Sequence, residues 1–321
     1  MSMRTDSARL WSIVLAGGEG ERTRAFVQNW LGYHKPKQYC AFTGTRSLFQ
    51  HTVDRADALS SPERRVVIAA PEHRGNLLEQ LRGREGGKII LQPKNRGTAV
   101  GVFLALAYVL ARDPSATVAI YPSDHFVCPE GAFLTTMKNA VRAAERYTDR
   151  PLLLGVRPTT SEVDYGWIVP SPCAREGPTR RVARFLEKPP RRLAEEALRK
   201  GALWNTMILA SKLDPLWALG WWCLPEILPA FVRFREALRS GRDDVVLEEI
   251  YRDLPSRDFS SDLLQRAPDA LRVFEMSGVW WSDWGRPERI LETLRALERP
   301  AAFPEALVLE REEIDSLVSR R

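Results

Sequence analysis

Short apolar runs alternate with longer amphipathic segments through the first half of the chain. Residues 11–16, 65–70, 88–91 and 117–121 are continuous apolar runs, as expected of strands buried on both faces. Between them, residues 47–59, 76–82 and 98–112 have the pattern of helices. This alternation predicts right-handed βαβ units and hence an α/β fold, a Rossmann-like, mostly parallel sheet flanked by helices. Ligands of such sheets bind at the carboxyl ends of the strands, so the loops there are the first candidates for a site.

The second half has shorter and less regular elements. Residues 152–156, 167–169 and 182–187 predict strands, and residues 193–200, 216–219, 229–238 and 287–297 predict helices. The charged tail up to residue 321 predicts one more short helix. We therefore expect one large domain over residues 1–286 and a small helical C-terminal extension over residues 287–321.

The composition narrows the class of protein. Hydrophobic residues make up 44% and charged residues 27% of the 321 residues, which is typical of a folded, soluble chain. No run reaches the roughly 18–20 apolar residues of a membrane helix, and the polar N-terminus does not resemble a signal peptide. We therefore expect a cytoplasmic protein with no membrane partner. The scattered cysteines favour neither a disulfide framework nor a zinc site.

The formal net charge of +6 is spread among interleaved acidic residues. The chain has no compact block of lysine and arginine with interleaved aromatic residues, so it predicts no nucleic-acid partner. A modest positive excess suits small polyanionic substrates equally well.

A glycine-rich segment, LAGGEGER at residues 15–22, directly follows the first strand. Glycines there allow a sharp turn that brings backbone N–H groups against phosphate oxygens. The segment is not a dinucleotide fingerprint, because Thr23 stands where the third glycine belongs, and no GK[ST] follows as in a Walker A loop. From the spacing alone, a phosphate-binding loop and a tight turn without a ligand both remain open.

Eight segments over roughly residues 11–285 resemble, in order, the signatures of the sugar nucleotidyltransferases, and especially the mannose-1-phosphate guanylyltransferase branch. In this chain they read LAGGEGER (15–22), KPKQY (35–39), PKNRGTA (93–99), YPSDH (121–125), DYGWI (164–168), FLEKP (185–189), WNT (204–206) and WSDWG (281–285). They are similar to that branch's LAGGxGTRL, PKQF, EPxxRNTAP, LPSDH, TGYGYI, FxEKP, WNS and WxDVG. The resemblance implies a nucleotide-diphospho-sugar transferase type of fold, with the catalytic domain over residues 1–286.

The resemblance also implies a reaction in which a sugar 1-phosphate oxygen attacks the α-phosphorus of a nucleoside triphosphate and pyrophosphate leaves. Both reactants are anionic, so such a site has to neutralise charge and align the groups. By resemblance, Arg22 and Lys37 hold the triphosphate. Asp124 binds a Mg²⁺ cofactor, for which Asp283 supplies the second carboxylate. The same resemblance assigns nucleotide contacts to Leu15, Ala16, Gly17, Gly18, Gln92, Gly97, Thr98 and Ser123.

The later segments imply the site of the sugar phosphate. Lys188 is expected to contact the phosphate during catalysis. Glu187 and Asn205 are expected to bond to sugar hydroxyls, and Gly166 to let the backbone approach the ring. The reaction gives His125 no proton to take, so we expect a packed histidine there.

Several of these residues have simpler alternative roles. If Asp124 and Asp283 have no part in a site, Asp124 would cap a following helix, and Asp283 would be a turn residue beside packed tryptophans. Lys37 would be a solvated surface lysine, while Glu187 and Lys188 would form a surface ion pair.

The chain departs from the family pattern at four places. The family's proline and leucine after the glycine loop are absent, and Gly97 replaces the asparagine of RNTAP. Glu21 replaces the threonine of GTR and puts a negative charge beside the triphosphate loop unless it points away or pairs with Arg24. Gln92 stands where guanylyltransferases carry glutamate, and a glutamine amide also pairs with uracil or thymine. Met207 replaces the glycine of WNSG, which would crowd the sugar site.

The leading expectation is therefore that GTP and mannose 1-phosphate are condensed to GDP-mannose. One alternative is the same reaction with UTP, dTTP or ATP and another sugar 1-phosphate. The other is a catalytically silent subunit that binds a nucleotide sugar, although the retention of Asp124, Asp283 and Lys188 argues against it. A homodimer is compatible with the sequence.

Overall fold

The apolar runs of the first half form four neighbouring strands of one large sheet. The computed structural model describes residues 9–309, with the backbone alone at positions 173–176. The strands are β1 (Leu10–Leu15), β2 (Arg65–Ala69), β3 (Lys88–Leu91), β4 (Thr117–Pro122), β5 (Phe126–Cys128), β6 (Leu152–Val156), β7 (Trp167–Glu176), β8 (Thr179–Leu186), β9 (Leu203–Lys212), β10 (Arg272–Glu275) and β11 (Trp280–Ser282). In the described range, the main sheet has the order β3-β2-β1-β4-β9-β6-β10-β8-β7, and β5 pairs with β11 in a separate ribbon.

The direction of the strands agrees with the predicted mostly parallel sheet. β1 is parallel to β2 and β4, β2 is parallel to β3, and β6 is parallel to β10. β9 runs antiparallel to β4, β6 and β7, and β8 runs antiparallel to β10 and β7. Within the described residues, β8 and β9 therefore oppose the direction of the other main-sheet strands, and the α/β fold class is confirmed.

Ten α-helices of seven or more residues are present in the described part of the chain. They are α1 (Glu21–Leu31), α2 (Leu48–Leu59), α3 (Arg74–Gln80), α4 (Thr98–Arg112), α5 (Glu130–Arg146), α6 (Arg191–Arg199), α7 (Leu213–Cys223), α8 (Leu228–Ser240), α9 (Asp243–Asp253) and α10 (Pro287–Ala296). The predicted elements at residues 98–112, 88–91 and 152–156 coincide with α4, β3 and β6. None of these helices is both long and apolar enough to cross a bilayer.

The two faces of the sheet are covered by different helices. Alternate residues of β1 enter opposite cores, because side chains of a strand alternate between its faces. Trp11 and Ile13 belong to the core that includes α4, α7, α8 and α9, whereas Leu10 and Val14 belong to the core that includes α2, α5 and α6. α4 is buried on all sides along residues 99–110, as its uniformly apolar sequence requires.

A third core joins the C-terminal segment to the beginning of the chain. Ile290 and Leu294 of α10 are buried in one cluster with Phe26 of α1, Phe42 and Trp284. The predicted domain boundary at residue 286 falls within this shared cluster, and the division there stays a prediction. Residues 306–309 are helical, and the rest of the predicted tail helix lies outside the described residues.

Candidate functional site

The loops after β1, β3 and β4 border one cavity of about 490 Å³ at the carboxyl edge of the parallel strands. The predicted site residues that line this cavity are Leu15, Gly17, Gly18, Arg22, Lys37, Gln92, Gly97, Thr98, Ser123, Asp124, Gly166, Glu187, Lys188, Asn205 and Asp283. Only Ala16 is missing from the predicted set. We call the part formed by residues 15–18 and 92–98 the loop side. The part formed by residues 166, 187–188 and 205–207 is the hairpin side, because residues 166 and 187–188 flank the β7–β8 hairpin.

Ala16, a predicted nucleotide contact, lies beneath the glycine loop and does not line the cavity. It is 1% exposed. Its carbonyl oxygen accepts hydrogen bonds from Gln38 Nε2 at 3.0 Å and from the Tyr39 hydroxyl at 3.3 Å, and His73 Nδ1 lies 3.1 Å away. Gln38 Nε2 also donates to the Gly18 carbonyl at 2.8 Å. These contacts hold the loop from below.

Lys37 is buried between the two aspartates that are predicted to bind the metal. Its side chain is 5% exposed, and Nζ donates to Asp124 Oδ2 at 2.9 Å and also to the backbone carbonyl of Asp283. A solvated surface lysine is therefore excluded. The aspartates meet because β5 follows Asp124 and pairs with β11, which precedes Asp283; Ser282 lies opposite Phe126.

The electrostatics of the site keep both aspartates ionised. Burial would raise the pKa of Asp283, but the Lys37 ammonium and the Arg289 guanidinium hold it well below its ordinary value. Burial also opposes ionisation of Asp124, and there the Lys37 ammonium lowers the pKa below its ordinary value. Burial lowers the pKa of His125, which keeps its ring neutral at physiological pH. That ring packs edge-on against a tryptophan of β11 at 5.2 Å, as a packed histidine would.

The two aspartates have different settings. Asp124 is followed by β5, and α5 begins only after that strand, so Asp124 does not cap a helix. Asp283 does lie beside packed aromatic rings, since Trp284 stacks on Phe126 with centroids 4.4 Å apart. It nevertheless faces the cavity, so the turn and the site are the same structure.

Arg22 reaches across the mouth of the cavity to two carboxylates. Its guanidinium lies 3.2 Å from Asp283 Oδ2 and 3.3 Å from Asp164 Oδ2, and its side chain is 52% exposed. An exposed arginine held in this way can exchange these partners for a phosphate. Glu21, by contrast, is exposed in the first turn of α1 and does not line the cavity. It lies at the N-terminal end of α1, where the helix dipole favours a negative charge.

The loop side depends on two close backbone approaches. A Cβ on Gly17 would lie 3.2 Å from Gln92 Nε2, and a Cβ on Gly97 would overlap the carbonyl oxygen of Arg257. Gly97 also has a φ of 84°, which a side chain disfavours. Gln92 is oriented by the Tyr251 hydroxyl, which donates to Oε1 at 3.0 Å and leaves the amide N–H groups as the donors for a ligand.

The hairpin side brings the predicted sugar residues together. A Cβ on Gly166 would lie 2.8 Å from Glu187 Oε2, and the Gly166 carbonyl accepts from the Asn205 N–H at 2.8 Å. In the described part of the chain Glu187 and Lys188 form no salt bridge, so the ion-pair alternative fails. Burial, with Asp258 nearby, raises the pKa of Glu187 to about 7.

Two residues on the hairpin side have a strained backbone. Lys188 has a φ of 41° and Met207 a φ of 57°, values that non-glycine residues rarely adopt. Met207 lines the cavity, and its Sδ accepts a hydrogen bond from Ser260 Oγ at 3.2 Å. Glycine, which the family pattern carries at this point, would adopt the same backbone without strain. Strained residues of this kind are found preferentially at functional sites.

Asp124 and Asp283, the carboxylates predicted to hold a metal, both line the cavity. No group of three or more His, Cys, Asp or Glu residues in the described chain is arranged to hold a metal ion. Two carboxylates are nevertheless sufficient for Mg²⁺ shared with substrate phosphates. Asp283 Oδ1 accepts hydrogen bonds from Tyr165, Gly285 and Arg289, whereas among residues 9–309 Oδ2 accepts only from Arg22. Oδ2 is therefore the oxygen that a metal would take.

Two residues that hold Asp283 were not predicted from the sequence. The Tyr165 hydroxyl donates to Oδ1 at 2.9 Å and Arg289 Nη1 at 2.6 Å. Tyr165 lies within the DYGWI segment, so the resemblance pointed to its neighbourhood. Arg289 had one available signal, an arginine on the apolar face of a predicted amphipathic helix, and it is 8% exposed in α10.

Known proteins are similar to this chain in sequence and in structure. The sequence model of the nucleotidyl transferase family matches residues 11–299. The chain is 28% identical over 291 residues to a mannose-1-phosphate guanylyltransferase of Escherichia coli, covering 87% of this chain and 60% of that protein. It is 31% identical over 285 residues to the alginate biosynthesis protein AlgA of Pseudomonas fluorescens, covering 85% of this chain and 56% of AlgA.

A solved structure from Thermus thermophilus, described as a mannose-1-phosphate geranyltransferase, superposes with a TM-score of 0.72 at 28% identity. The superposition covers 88% of this chain and 79% of that one. This chain spans only about 60% of the length of the E. coli protein. The match of the family model nevertheless extends over most of the sequence and includes every segment that lines the cavity. The chain therefore belongs to the nucleotidyl transferase family.

Proposed function

We propose that this protein joins a nucleoside triphosphate to a sugar 1-phosphate, forming a nucleotide sugar and pyrophosphate. The observation that carries the proposal is the position of Lys37, buried against both Asp124 and Asp283 in a cavity that has the glycine loop on one side and Glu187 and Lys188 on the other. Such an arrangement suits two anionic reactants that have to be held close together.

In the proposed reaction a phosphate oxygen of the sugar 1-phosphate attacks the α-phosphorus of the triphosphate. A new P–O bond forms while the bond from the α-phosphorus to the oxygen of the β-phosphate breaks, and pyrophosphate leaves. The attacking oxygen is already ionised, so no general base is needed and the neutral His125 has no proton to accept. Lys37 would neutralise charge on the triphosphate, and Lys188 charge on the sugar phosphate.

Arg22 would change partners when the triphosphate binds. Its guanidinium now bridges Asp164 and Asp283, and a phosphate offers the same pair of acceptor oxygens with more charge. Transfer of Arg22 to the phosphate would also free Oδ2 of Asp283.

Mg²⁺ is the proposed cofactor, held by Asp124 and by Oδ2 of Asp283. When bound, it would neutralise phosphate oxygens and stabilise charge that develops during the transfer. Lys37 and Arg289 support this role because they keep Asp283 ionised.

GTP and mannose 1-phosphate are the proposed substrates. The guanylyltransferase relatives support this pair, and Gln92 is compatible with it, because its amide donor matches the O6 carbonyl of guanine. The same donor matches the O4 carbonyl of thymine, whereas adenine carries an amino group at that edge. UTP and dTTP are therefore the nearer alternatives, and ATP the more distant one. The strained Met207 motivates a test of sugars other than mannose.

Pyrophosphate release with Mg²⁺ tests the proposal, with four triphosphates crossed against mannose, glucose, galactose and fucose 1-phosphates. Asp124→Ala is the control variant. Release that requires one pair, EDTA-sensitive and lost in the variant, would establish the reaction and both specificities. If the folded protein releases no pyrophosphate from any pair but binds a nucleotide sugar, the silent binding subunit becomes the better description.

A further inference from the structure

Arg289 connects three parts of the structure around the hairpin side. Its Nη1 donates to Asp283 Oδ1 and its Nη2 to Glu162 Oε2, each at 2.6 Å. The guanidinium carbon lies 4.7 Å from the centre of the Tyr165 ring, and the Tyr165 hydroxyl in turn donates to Asp283 Oδ1 at 2.9 Å. One side chain thereby ties α10 to Asp283 and to the loop that precedes β7.

Glu162 extends this connection into the backbone of the loop. Its Oε1 accepts hydrogen bonds from the N–H groups of Val163 at 3.0 Å and Asp164 at 3.2 Å, and its backbone carbonyl accepts from Trp167 Nε1 at 2.8 Å. The loop therefore takes its conformation around a carboxylate whose closest cationic partner is Arg289. Arg286 lies farther from Glu162, at 3.6 Å, and its side chain is 51% exposed.

We propose that Arg289 is a positioning residue, which holds the loop at residues 162–166 and the carboxylate of Asp283 in a fixed relation to each other. This inference rests on the proposed function. Residues 164–166 line the cavity and Arg289 does not, so Arg289 acts through Asp283, Glu162 and Tyr165 and not by touching a substrate. Its effect falls on the alignment of the sugar 1-phosphate with the metal carboxylate.

The planar guanidinium is suited to this task in a way that an ammonium group is not. It presents two parallel sets of N–H donors, so it can bond to Asp283 and Glu162 together, while its face packs against the Tyr165 ring. The Asp283 and Glu162 side chains are each 14% exposed. Without Arg289 they would be neighbouring carboxylates with no common counter-charge, and their repulsion would displace the loop.

The test compares Arg289→Met and Arg289→Lys with the wild-type chain. Arg295→Met is the matched control, since Arg295 lies on the same helix but pairs with the exposed Glu305. The first measurement is amide hydrogen exchange of residues 157–167 in the protein without substrates. The second is the KM for mannose 1-phosphate, the KM for GTP and kcat.

We expect Arg289→Met to accelerate exchange in the loop, with the exchange of β1 to β4 unchanged. We expect its kcat/KM for mannose 1-phosphate to fall about 10- to 100-fold, since a displacement of about 1 Å has effects of that size. The KM for GTP should rise less than the KM for mannose 1-phosphate. Arg289→Lys should recover part of the loss, and Arg295→Met should behave as wild type. The double variant Glu162→Gln, Arg289→Met should be better than Arg289→Met alone, because it removes one of the two repelling charges.

Two results would overturn the inference. If Arg289→Met leaves both the loop exchange and the KM for mannose 1-phosphate unchanged, Arg289 does not position them. If exchange instead rises throughout the protein and both KM values rise together, Arg289 only stabilises the fold. The exchange measurement needs no substrate, so a wild-type protein that releases no pyrophosphate would contradict the proposed function and leave this test intact.

Discussion

The loop side and the hairpin side of the cavity are built in different ways. The loop side follows directly from parallel strands, and each of its segments is contiguous in sequence. The hairpin side combines β7, β8 and β9 with Ser260 and Asp258 from a distant segment, and it contains the strained residues Lys188 and Met207. The loop side is therefore built on turns that follow the strands directly, with Tyr251 and Arg257 packed against them, whereas the hairpin side is assembled mainly from segments distant in sequence. In the proposed function the first would bind the triphosphate and the second the sugar.

Lys37 lies between the two sides, so its replacement should have the largest effect. Lys37→Met removes the ammonium group that bonds to Asp124 and leaves that carboxylate close to Asp283. We expect kcat to fall about 100- to 1000-fold, as happens when one preorganised charge-stabilising donor is lost. Steady-state pyrophosphate release, with GTP and mannose 1-phosphate each varied, measures this.

Lys35→Met provides the control for this variant, because Lys35 lies two residues away and does not line the cavity. Thermal unfolding of both variants separates a loss of chemistry from a loss of fold. A Lys37→Met protein that remains folded and retains more than a tenth of the wild-type kcat would show that the charge of Lys37 is dispensable.

Gly97→Ala should disturb the loop side alone. The residue has a φ of 84°, and an added Cβ would meet backbone atoms of Arg257. These atoms cannot move aside as the end of a flexible side chain could. Strain of this kind costs about 1–3 kcal/mol, so we expect the KM for the triphosphate to rise about tenfold or more. The KM for the sugar 1-phosphate should change little.

Gly75→Ala is the matched control, because a Cβ at Gly75 in α3 meets no atom of the described chain within 4 Å. It should be neutral or slightly stabilising, since alanine is the better helix former. Equal increases in both KM values in Gly97→Ala would mean that the two sides of the cavity are mechanically coupled. The loop side and the hairpin side would then not act independently.

This division also explains how much could be predicted from the sequence. The strands β1, β2, β3 and β4 were predicted within one residue at either end, because a buried parallel strand is a continuous apolar run. β9 was missed, although it lies in the centre of the sheet, because the WNT segment interrupts its apolar pattern and was interpreted as a site. β10 was missed as well, since a strand of four residues has too little pattern to recognise.

The candidate site shows the same limit. The segments that resemble the family led to fifteen residues at one cavity, and only Ala16 proved to lie beneath it. Arg289 was missed because its role comes from tertiary contacts with Asp283 and Glu162 and not from any local signature. Asp283 lies beside Asp124 because β5 pairs with β11. Each of these strands is too short for its sequence to predict the pairing.

Met207→Gly tests whether the strain on the hairpin side contributes to sugar specificity. Glycine removes the cost of a φ of 57°, and the loss of a partly buried side chain offsets that gain, so we expect a change in stability within about 1 kcal/mol. Removing the side chain enlarges the cavity beside Asn205. Discrimination between mannose 1-phosphate and other hexose 1-phosphates should fall about tenfold.

Relative kcat/KM values for mannose, glucose and galactose 1-phosphates measure this effect. Met207→Leu is the control, since it keeps the volume and the strain. If Met207→Gly keeps the wild-type ratios, Met207 does not contribute to the choice of sugar, and its strained backbone has another cause.

The smallest effect should be a pH dependence that originates on the hairpin side. Burial and the nearby Asp258 raise the pKa of Glu187 from 4.5 to about 7. The neutral carboxyl is therefore favoured in the folded protein. The stability that it contributes is present below pH 4.5 and is lost as the pH rises through about 7. As the pH rises over this range, the melting temperature of the wild type should fall relative to that of Glu187→Gln.

The same ionisation should affect binding of the sugar, because a carboxylate accepts a hydrogen bond from a hydroxyl more strongly than a neutral carboxyl does. We expect the KM for the sugar 1-phosphate to fall roughly threefold as the pH rises from 6 to 8, because one charge-assisted hydrogen bond is gained. Glu187→Gln should lack this change. The substrate phosphate also titrates near pH 6, but it does so equally with both proteins, so the difference between them isolates Glu187. The KM for the triphosphate should follow the same pH profile in both, since Glu187 lies on the hairpin side. A pH dependence that persists in Glu187→Gln would place the titrating group elsewhere in the cavity.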